Sequence, residues 1–295
     1  MHFSKKNALA GAVVLCAALL YTGAISASAA TTGSDVAFKA ATDTDPHLPL
    51  TPYQQQMLAR KEQAVANSLS GKASAATMKT NLSAVGVTSA STLAVAASAS
   101  SSGLPDSDSV AKNQTPQKTP YWCGPASVHE ALGQLHHEYS QQILAPELGT
   151  TTAGTAWSGG PTSTGHPVPD VLNNHQSYYY VPEPVPGTPS DSDVSNYKSW
   201  LTFDISLASA PLIGDAWETR LSEFHLVGHP TDHPIFHWFD IYGYRNSGGT
   251  TYTEYEDSVH GVSPSIIVWA PDVPAYSELP SHQIAHIVGG RGYVW

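Results

Sequence analysis

The 295-residue chain carries 13 Lys+Arg against 24 Asp+Glu, a formal net charge of −11, with 13% charged and 41% apolar residues. Seven Trp and fourteen Tyr can build a core, which excludes a disordered acidic protein. No Lys/Arg run is present, which excludes nucleic acid as a partner because phosphate contacts need clustered cations. Two cysteines are too few for a disulfide-stapled scaffold.

At the start of the chain, Met1 to Ala30 reads as a signal peptide. Lys5 and Lys6 supply its positive end, Ala8 to Leu20 its apolar centre, and Ala27-Ser28-Ala29 a small-residue cleavage site. The apolar centre is shorter than the roughly 20 residues a spanning helix needs. The expectation is a secreted, extracellular protein with no membrane span once the signal is removed. Cys16 leaves with it, so Cys123 remains as the lone thiol in an oxidising compartment, with no partner in its own chain. Such a thiol is either buried and inert or present for its chemistry.

Residues 31–112 are dominated by Ala, Ser and Thr and hold no Trp. They read as a low-complexity propeptide or linker with short helices, either covering a cleft or serving as a spacer. One helix is signalled by Thr51 as N-cap, Pro52 at the first position and Gln54 closing a capping box, with Gly71 as its stop. A weaker helix covers about residues 75–85, and Ala96 to Gly103 reads as a flexible run. These helices carry too few large apolar side chains to fold alone.

All seven Trp lie in residues 113–295, a length suited to one domain. The spacing of Val128, Ala131, Leu132 and Leu135 predicts a helix from Cys123 to Leu135, and a second is expected over Ser140–Leu148. Residues 150–195 read as a long loop, interrupted by a short helix near Asp170–Asn174 and a strand at Tyr178–Val181. A helix is expected over Trp200–Ser209, then strands at Pro211–Trp217, Ile235–Tyr244 and Thr250–Glu256. Arg245 to Gly249 is the turn joining the last two. Helices followed by antiparallel strands indicate an α+β fold.

Cys123 opens the first helix of this domain, where peptide dipoles and unpaired N–H groups favour a thiolate. Gly124 is expected to let a substrate backbone approach, and Pro125 fits a first turn. A thiolate nucleophile needs a group that exchanges protons near neutral pH, and histidine suits that task. His237 begins the run His237 to Tyr244, and Asp257 closes the following strand. Hairpin geometry sets Asp257 beside His237, where it would orient the ring. Asp240 and Glu256 compete for that role, although Glu256 is expected on the opposite face. The Cys123 N–H and the Gln117 side-chain amide are candidates for holding an oxyanion. His225, His229, His233 and His237 recur at helical spacing, which would suit a metal stripe. Pro230 and Pro234 exclude that helix, so these read as polar loop histidines lining a cleft or facing solvent.

Gln117 six residues before Cys123-Gly124-Pro125-Ala126-Ser127, a His heading an apolar strand that ends Gly243-Tyr244, and an Asp after the next strand form a recognisable order. It resembles papain-like cysteine peptidases, and among them the bacteriocin-processing (double-glycine) peptidase-like family in its secreted bacterial form. The resemblance covers about residues 113–295. It implies a papain-like fold with an N-terminal nucleophile helix packed on an antiparallel sheet, and peptide-bond hydrolysis through an acyl-enzyme. Cys123 would be the nucleophile, His237 the base, Asp257 its orienting partner and Gln117 the oxyanion donor. The implied partner is a peptide or protein substrate, with no cofactor or metal, and the chain is read as a monomer. Two features depart from the family. Ser258 stands where its Asp is followed by Pro, and the chain lacks the membrane span and phosphate-binding loop of the founding transporters, so cleavage after Gly-Gly is not implied. The same thiol would equally serve an acyl transferase or amidase. A non-catalytic binding module retaining the fold is the alternative of another class, distinguished by whether thiol and imidazole meet.

Overall fold

In the computed structural model, which describes residues 45–70, 74–87 and 104–295, the first helix begins where its capping signals fall. The Gln54 N–H donates to Thr51 Oγ1 at 3.2 Å, and the Thr51 N–H donates to Gln54 Oε1 at 2.9 Å, starting α1 (Pro52–Leu69). Ser74 caps α2 (Ala75–Ala84) in the same manner. Neither helix has a core of its own. Met57, Ala64 and Val65 of α1 and Met78 and Leu82 of α2 join one hydrophobic cluster with residues of the 113–295 segment. The signal peptide, Gly71 and the Ala96–Gly103 run lie outside the described residues.

Lys61 fixes α1 most specifically. Its side chain is fully buried, with Nζ 3.6 Å from Asp204 Oδ2 and 4.3 Å from the ring centroids of Tyr178 and Trp295. The Tyr178 hydroxyl donates to Asp204 Oδ1 at 2.5 Å. Burial pulls the Lys61 ammonium down to about 8 although Asp204 opposes it. Burial likewise lifts the Asp204 carboxyl to about 6 against the pull of Lys61 and Tyr178. Aromatic faces and a carboxylate replace water around this cation.

The strands are β1 (Ser107–Ser109), β2 (Pro182–Pro184), β3 (Leu212–Glu218), β4 (Ile235–Ser247), β5 (Thr250–Glu256), β6 (Tyr276–Pro280) and β7 (Gly292–Val294). They form one sheet in the order β2-β7-β3-β4-β5-β6, with β1 paired to the far end of β4 and every described pairing antiparallel. The helices in the second half of the chain are α3 (Cys123–Gln134), α4 (Gln141–Glu147), α5 (Pro167–His175), α6 (Asp191–Phe203) and α7 (Ser281–Ile287). The result is a mixed helical and antiparallel-sheet fold in which α3 packs on β4 and β3. Val128, Ala131 and Leu132 make that contact fully buried, as their spacing predicts.

Two expectations are corrected. Tyr178–Val181 is not a strand. Val181 and Trp295 exchange backbone hydrogen bonds at 2.8 and 3.1 Å, but the strand itself is the following Pro182–Pro184, at the sheet edge where missing N–H groups are tolerated. The helix expected over Trp200–Ser209 begins earlier, at Asp191, under a Ser190–Asp193 capping box. It then widens into a π turn over Asp204–Ala208, which stops at Ser209 with φ 54°. The short helix expected near Asp170–Asn174 runs over Pro167–His175, and in the loop before it Trp157 is buried, stacks on Trp238 at 5.8 Å, and donates its backbone N–H to Asp45 at 2.7 Å. Among the described residues no helix is long and apolar enough to cross a membrane.

Candidate active site

Cys123 is the first residue of α3, and no side chain caps that end of the helix. Its thiol is buried and unpaired. Gly124 is required by packing at this point. A Cβ there would lie 2.3 Å from Thr155 Oγ1, so the helix start is pressed against the 150–155 segment. The Thr155 carbonyl in turn accepts the Trp238 indole N–H at 2.9 Å. The start of α3 and the His237–Trp238 stretch of β4 are therefore tied through one residue.

Across that junction the His237 ring meets the Cys123 thiol. On its other side, Nε2 lies 3.0 Å from Asp257 Oδ1, an ion-pair contact between two buried side chains. The register Asp240↔Glu256 sets Asp257 beyond the end of β5, alongside the start of β4, as hairpin geometry predicts. Burial alone would push the His237 imidazolium down. The Asp257 carboxylate, with the thiol, outweighs that and holds the ring well above its ordinary range. Asp257 shows the reverse balance: burial opposes ionisation, but His237 and His229 hold its carboxyl far below the usual range. The Val259 N–H also donates to its Oδ1 at 2.9 Å.

Gln117 is buried and lines the same cleft. Its Nε2 donates to the Thr119 carbonyl at 2.8 Å, and its Oε1 accepts from Ser258 Oγ at 3.1 Å. The Gln117 N–H donates to the Ser258 carbonyl at 2.8 Å. The Thr119 carbonyl, which can only accept, settles which way the amide faces, and one N–H of Nε2 remains beyond the Thr119 bond. The cleft has a volume of about 470 Å³, and Cys123, His237, Gln117, Tyr121, Val268 and Trp269 are among its lining. Val268 is 81% exposed. No residue of α1 or α2 lines this cleft.

Asp240 and Glu256 do not reach His237. Both accept from Gln134 Nε2, at 2.7 and 2.9 Å, at the opposite end of α3 from the thiol. Glu130 joins them there, its Oε1 taking the Thr115 N–H at 2.8 Å. Burial and mutual repulsion raise Glu130 and Asp240 well above the carboxylate range, and burial lifts Glu256 to about 7.

The histidine spacing resolves differently from expectation. His233 is exposed and paired with Asp232, and His225 lies 3.1 Å from the Thr219 carbonyl. His229 is neither cleft-lining nor solvent-facing. It is buried with Nε2 3.0 Å from Asp257 Oδ2 and Nδ1 2.6 Å from Glu218 Oε2. Donor atoms of His229, His237 and Asp257 lie within 4.8 Å of one another. His229 Nε2 is hydrogen-bonded to Asp257 Oδ2, while His237 Nε2 stands in ion-pair contact with Oδ1. His229 and Glu218 were not singled out from sequence, and neither was Trp269, whose ring packs on His229 at 4.8 Å. The only available signal was the regular histidine spacing, which belongs to a loop and carries no register.

No protein-family profile matches the chain, and no curated protein does. Among solved structures, digestive procathepsin L 3 of Tenebrio molitor larval midgut is similar at a TM-score of 0.36 and 11% identity, over 65% of this chain and 69% of that one. A likeness of that size leaves the assignment to the residues themselves.

Proposed function

We propose that the chain is a cysteine peptidase of papain-like design, hydrolysing peptide bonds through Cys123, His237 and Asp257. The observation that carries this reading is a thiol at an uncapped helix start beside an imidazole that is paired to a buried carboxylate, with thiol and imidazole at the wall of one cleft. The helix end favours negative charge on sulfur, and Asp257 favours positive charge on His237, so together they stabilise the thiolate–imidazolium form.

In the first half-reaction Cys123 sulfur attacks the peptide carbonyl carbon, and the C=O electrons move to oxygen. In this reading the remaining N–H of Gln117 and the Cys123 amide hold that oxyanion. The C–N bond breaks as His237 gives its proton to the departing amine, leaving a thioester. In the second half-reaction a water attacks the thioester carbon while His237 takes its proton. The C–S bond then breaks, releasing the acid and restoring the thiolate–imidazolium pair. The narrower double-glycine kinship rests on the Gln117 and Cys-Gly-Pro residues of the sequence, and export rests on the pattern of residues 1–30.

A peptide-library digest with wild type and Cys123→Ala tests the proposal. Cleavage by wild type that vanishes in the variant is expected. Equal product patterns from the two proteins would refute it.

A further inference from the structure

Asp257 has two imidazole neighbours, and only one of them faces the thiol. The second, His229, lies in the loop between β3 and β4, with Asp257 on its Nε2 side and Glu218, the last residue of β3, on its Nδ1 side. Neither His229 nor Glu218 exposes any side-chain surface. The loop is held at each step. The Leu226 N–H donates to Glu218 Oε1, the Val227 N–H donates to the Tyr255 hydroxyl at 2.9 Å, and Gly228 takes φ +84° where a Cβ would meet the Asp272 carbonyl at 2.2 Å. The groups facing His229 are thus the carboxylates of Glu218 and Asp257, the Trp269 ring, and the His237 ring with its centroid 5.1 Å away.

An ionised carboxylate only accepts hydrogen bonds. A ring held between two of them, at 2.6 and 3.0 Å, donates from both nitrogens and therefore carries a positive charge. We propose that His229 is a standing imidazolium that acts as a positioning residue: it clamps one oxygen of Asp257 so that the other stays turned to His237, and Glu218 keeps its proton in place. This rests on reading Asp257 as the orienting group of a peptidase.

The chemistry of the cycle gives such a group its use. His237 loses and regains a proton each turnover, and whenever it is neutral, Asp257 would be a buried charge without a counter-ion. His229 supplies a counter-ion that does not cycle, so Asp257 keeps a positive neighbour on its other oxygen while the His237 proton moves. Burial pulls His229 down, but Glu218 and Asp257 overcome this and hold it up to about 9, above neutral working conditions.

The test uses the full chain and needs no peptide substrate. Ring-nitrogen NMR of wild type at about pH 8 is expected to show both His229 nitrogens protonated, and Glu218→Gln is expected to bring its titration down by about two units, toward the ordinary 6.5 or so. Iodoacetamide alkylation of Cys123 near neutral pH should slow about tenfold or more in His229→Leu, and His229→Gln, which still offers a donor to Asp257, should recover part of the rate. A single ring N–H on His229 at that pH, with the proton on a carboxyl instead, would overturn the inference. So would a folded His229→Leu protein alkylated at the wild-type rate. If His229→Leu does not fold, the Glu218→Gln titration decides, and an unmoved His229 overturns the idea. Loss of the peptidase reading would show separately, as peptide cleavage surviving Cys123→Ala.

Discussion

Asp257→Asn removes one charge and changes almost no volume, which makes it the sharpest perturbation of the proposed triad. The carboxylate is buried and accepts from the Val259 N–H at 2.9 Å, with imidazole nitrogens 3.0 Å from each oxygen. An amide offers one acceptor oxygen where the carboxylate offers two. The Val259 N–H and His237 both address Oδ1, so the amide oxygen keeps that side and its NH₂ faces His229, leaving His237 an acceptor without the charge. A charge-assisted hydrogen bond contributes about 1.5–3 kcal/mol, so the affinity of His237 for its proton falls by about one to two pKa units. The thiolate–imidazolium form becomes about 10–100 times scarcer at a given pH. Breaking a buried pair from one side also destabilises the fold by about 3–5 kcal/mol. Alkylation of Cys123 by iodoacetamide, followed by intact mass over roughly pH 5–9, reads the first effect, and thermal unfolding reads the second. The expected outcome is a 10–100-fold slower rate near pH 6–7, with the acid limb of the profile moved upward. A variant that alkylates at the wild-type rate and melts at the wild-type temperature would show that Asp257 does not govern the His237 proton.

Three further outcomes are expected. Lys61→Ala leaves Asp204 without its cation and opens the aromatic cage, lowering stability by about 3–5 kcal/mol and Tm by something of the order of 10 °C; an unchanged melt would mean that α1 is only loosely attached. Gln117→Ala should lower kcat about 10²–10³-fold, as loss of an oxyanion donor does, while iodoacetamide alkylation, which forms no oxyanion, keeps its rate; parallel loss of both would assign Gln117 to positioning the thiol. Folding stability should fall as pH rises from about 5 to 8. Burial lifts Glu183 to about 8 and Glu256 to about 7, and raises Glu130 and Asp240 well above the usual range. The folded chain therefore holds protons that the unfolded chain has already lost, and each such group takes away about 1.4 kcal/mol per pH unit until its folded value is passed. His166, which burial lowers, works the other way below about 6.5. Chemical denaturation across that range checks the sign, and stability increasing toward pH 8 would contradict it.

The parts of the fold readable in the sequence are those whose signals are local. The Thr51–Gln54 capping box, the apolar spacing from Val128 to Leu135 and the turn after Arg245 each specify an element within a few residues, and α1, α3 and the β4–β5 hairpin stand where those signals fall. Short strands were not readable. Pro182-Glu183-Pro184 and Gly292-Tyr293-Val294 have no alternation long enough to detect, and they exist because each pairs with the other and the second also with β3. The meeting of Cys123, His237 and Asp257 was legible because two of the three sit at the ends of recognisable elements. His229 was not, because a loop between prolines has no period, and its position follows from Glu218 and Asp257, which come from two different strand ends. The packing of Gly124 was not readable for a related reason: its neighbour Thr155 comes from a segment whose path only tertiary packing defines.

The cage around Lys61 closes the chain upon itself across roughly 230 positions, from α1 to Trp295. Lys61 must therefore wait, unpaired, until the residues around Trp295 have been made. Such long-range closure is slow and leaves α1 exposed in the interval. Synthesis and assembly are thereby separated in time: whatever handles the nascent chain meets a helix whose partners are still to come.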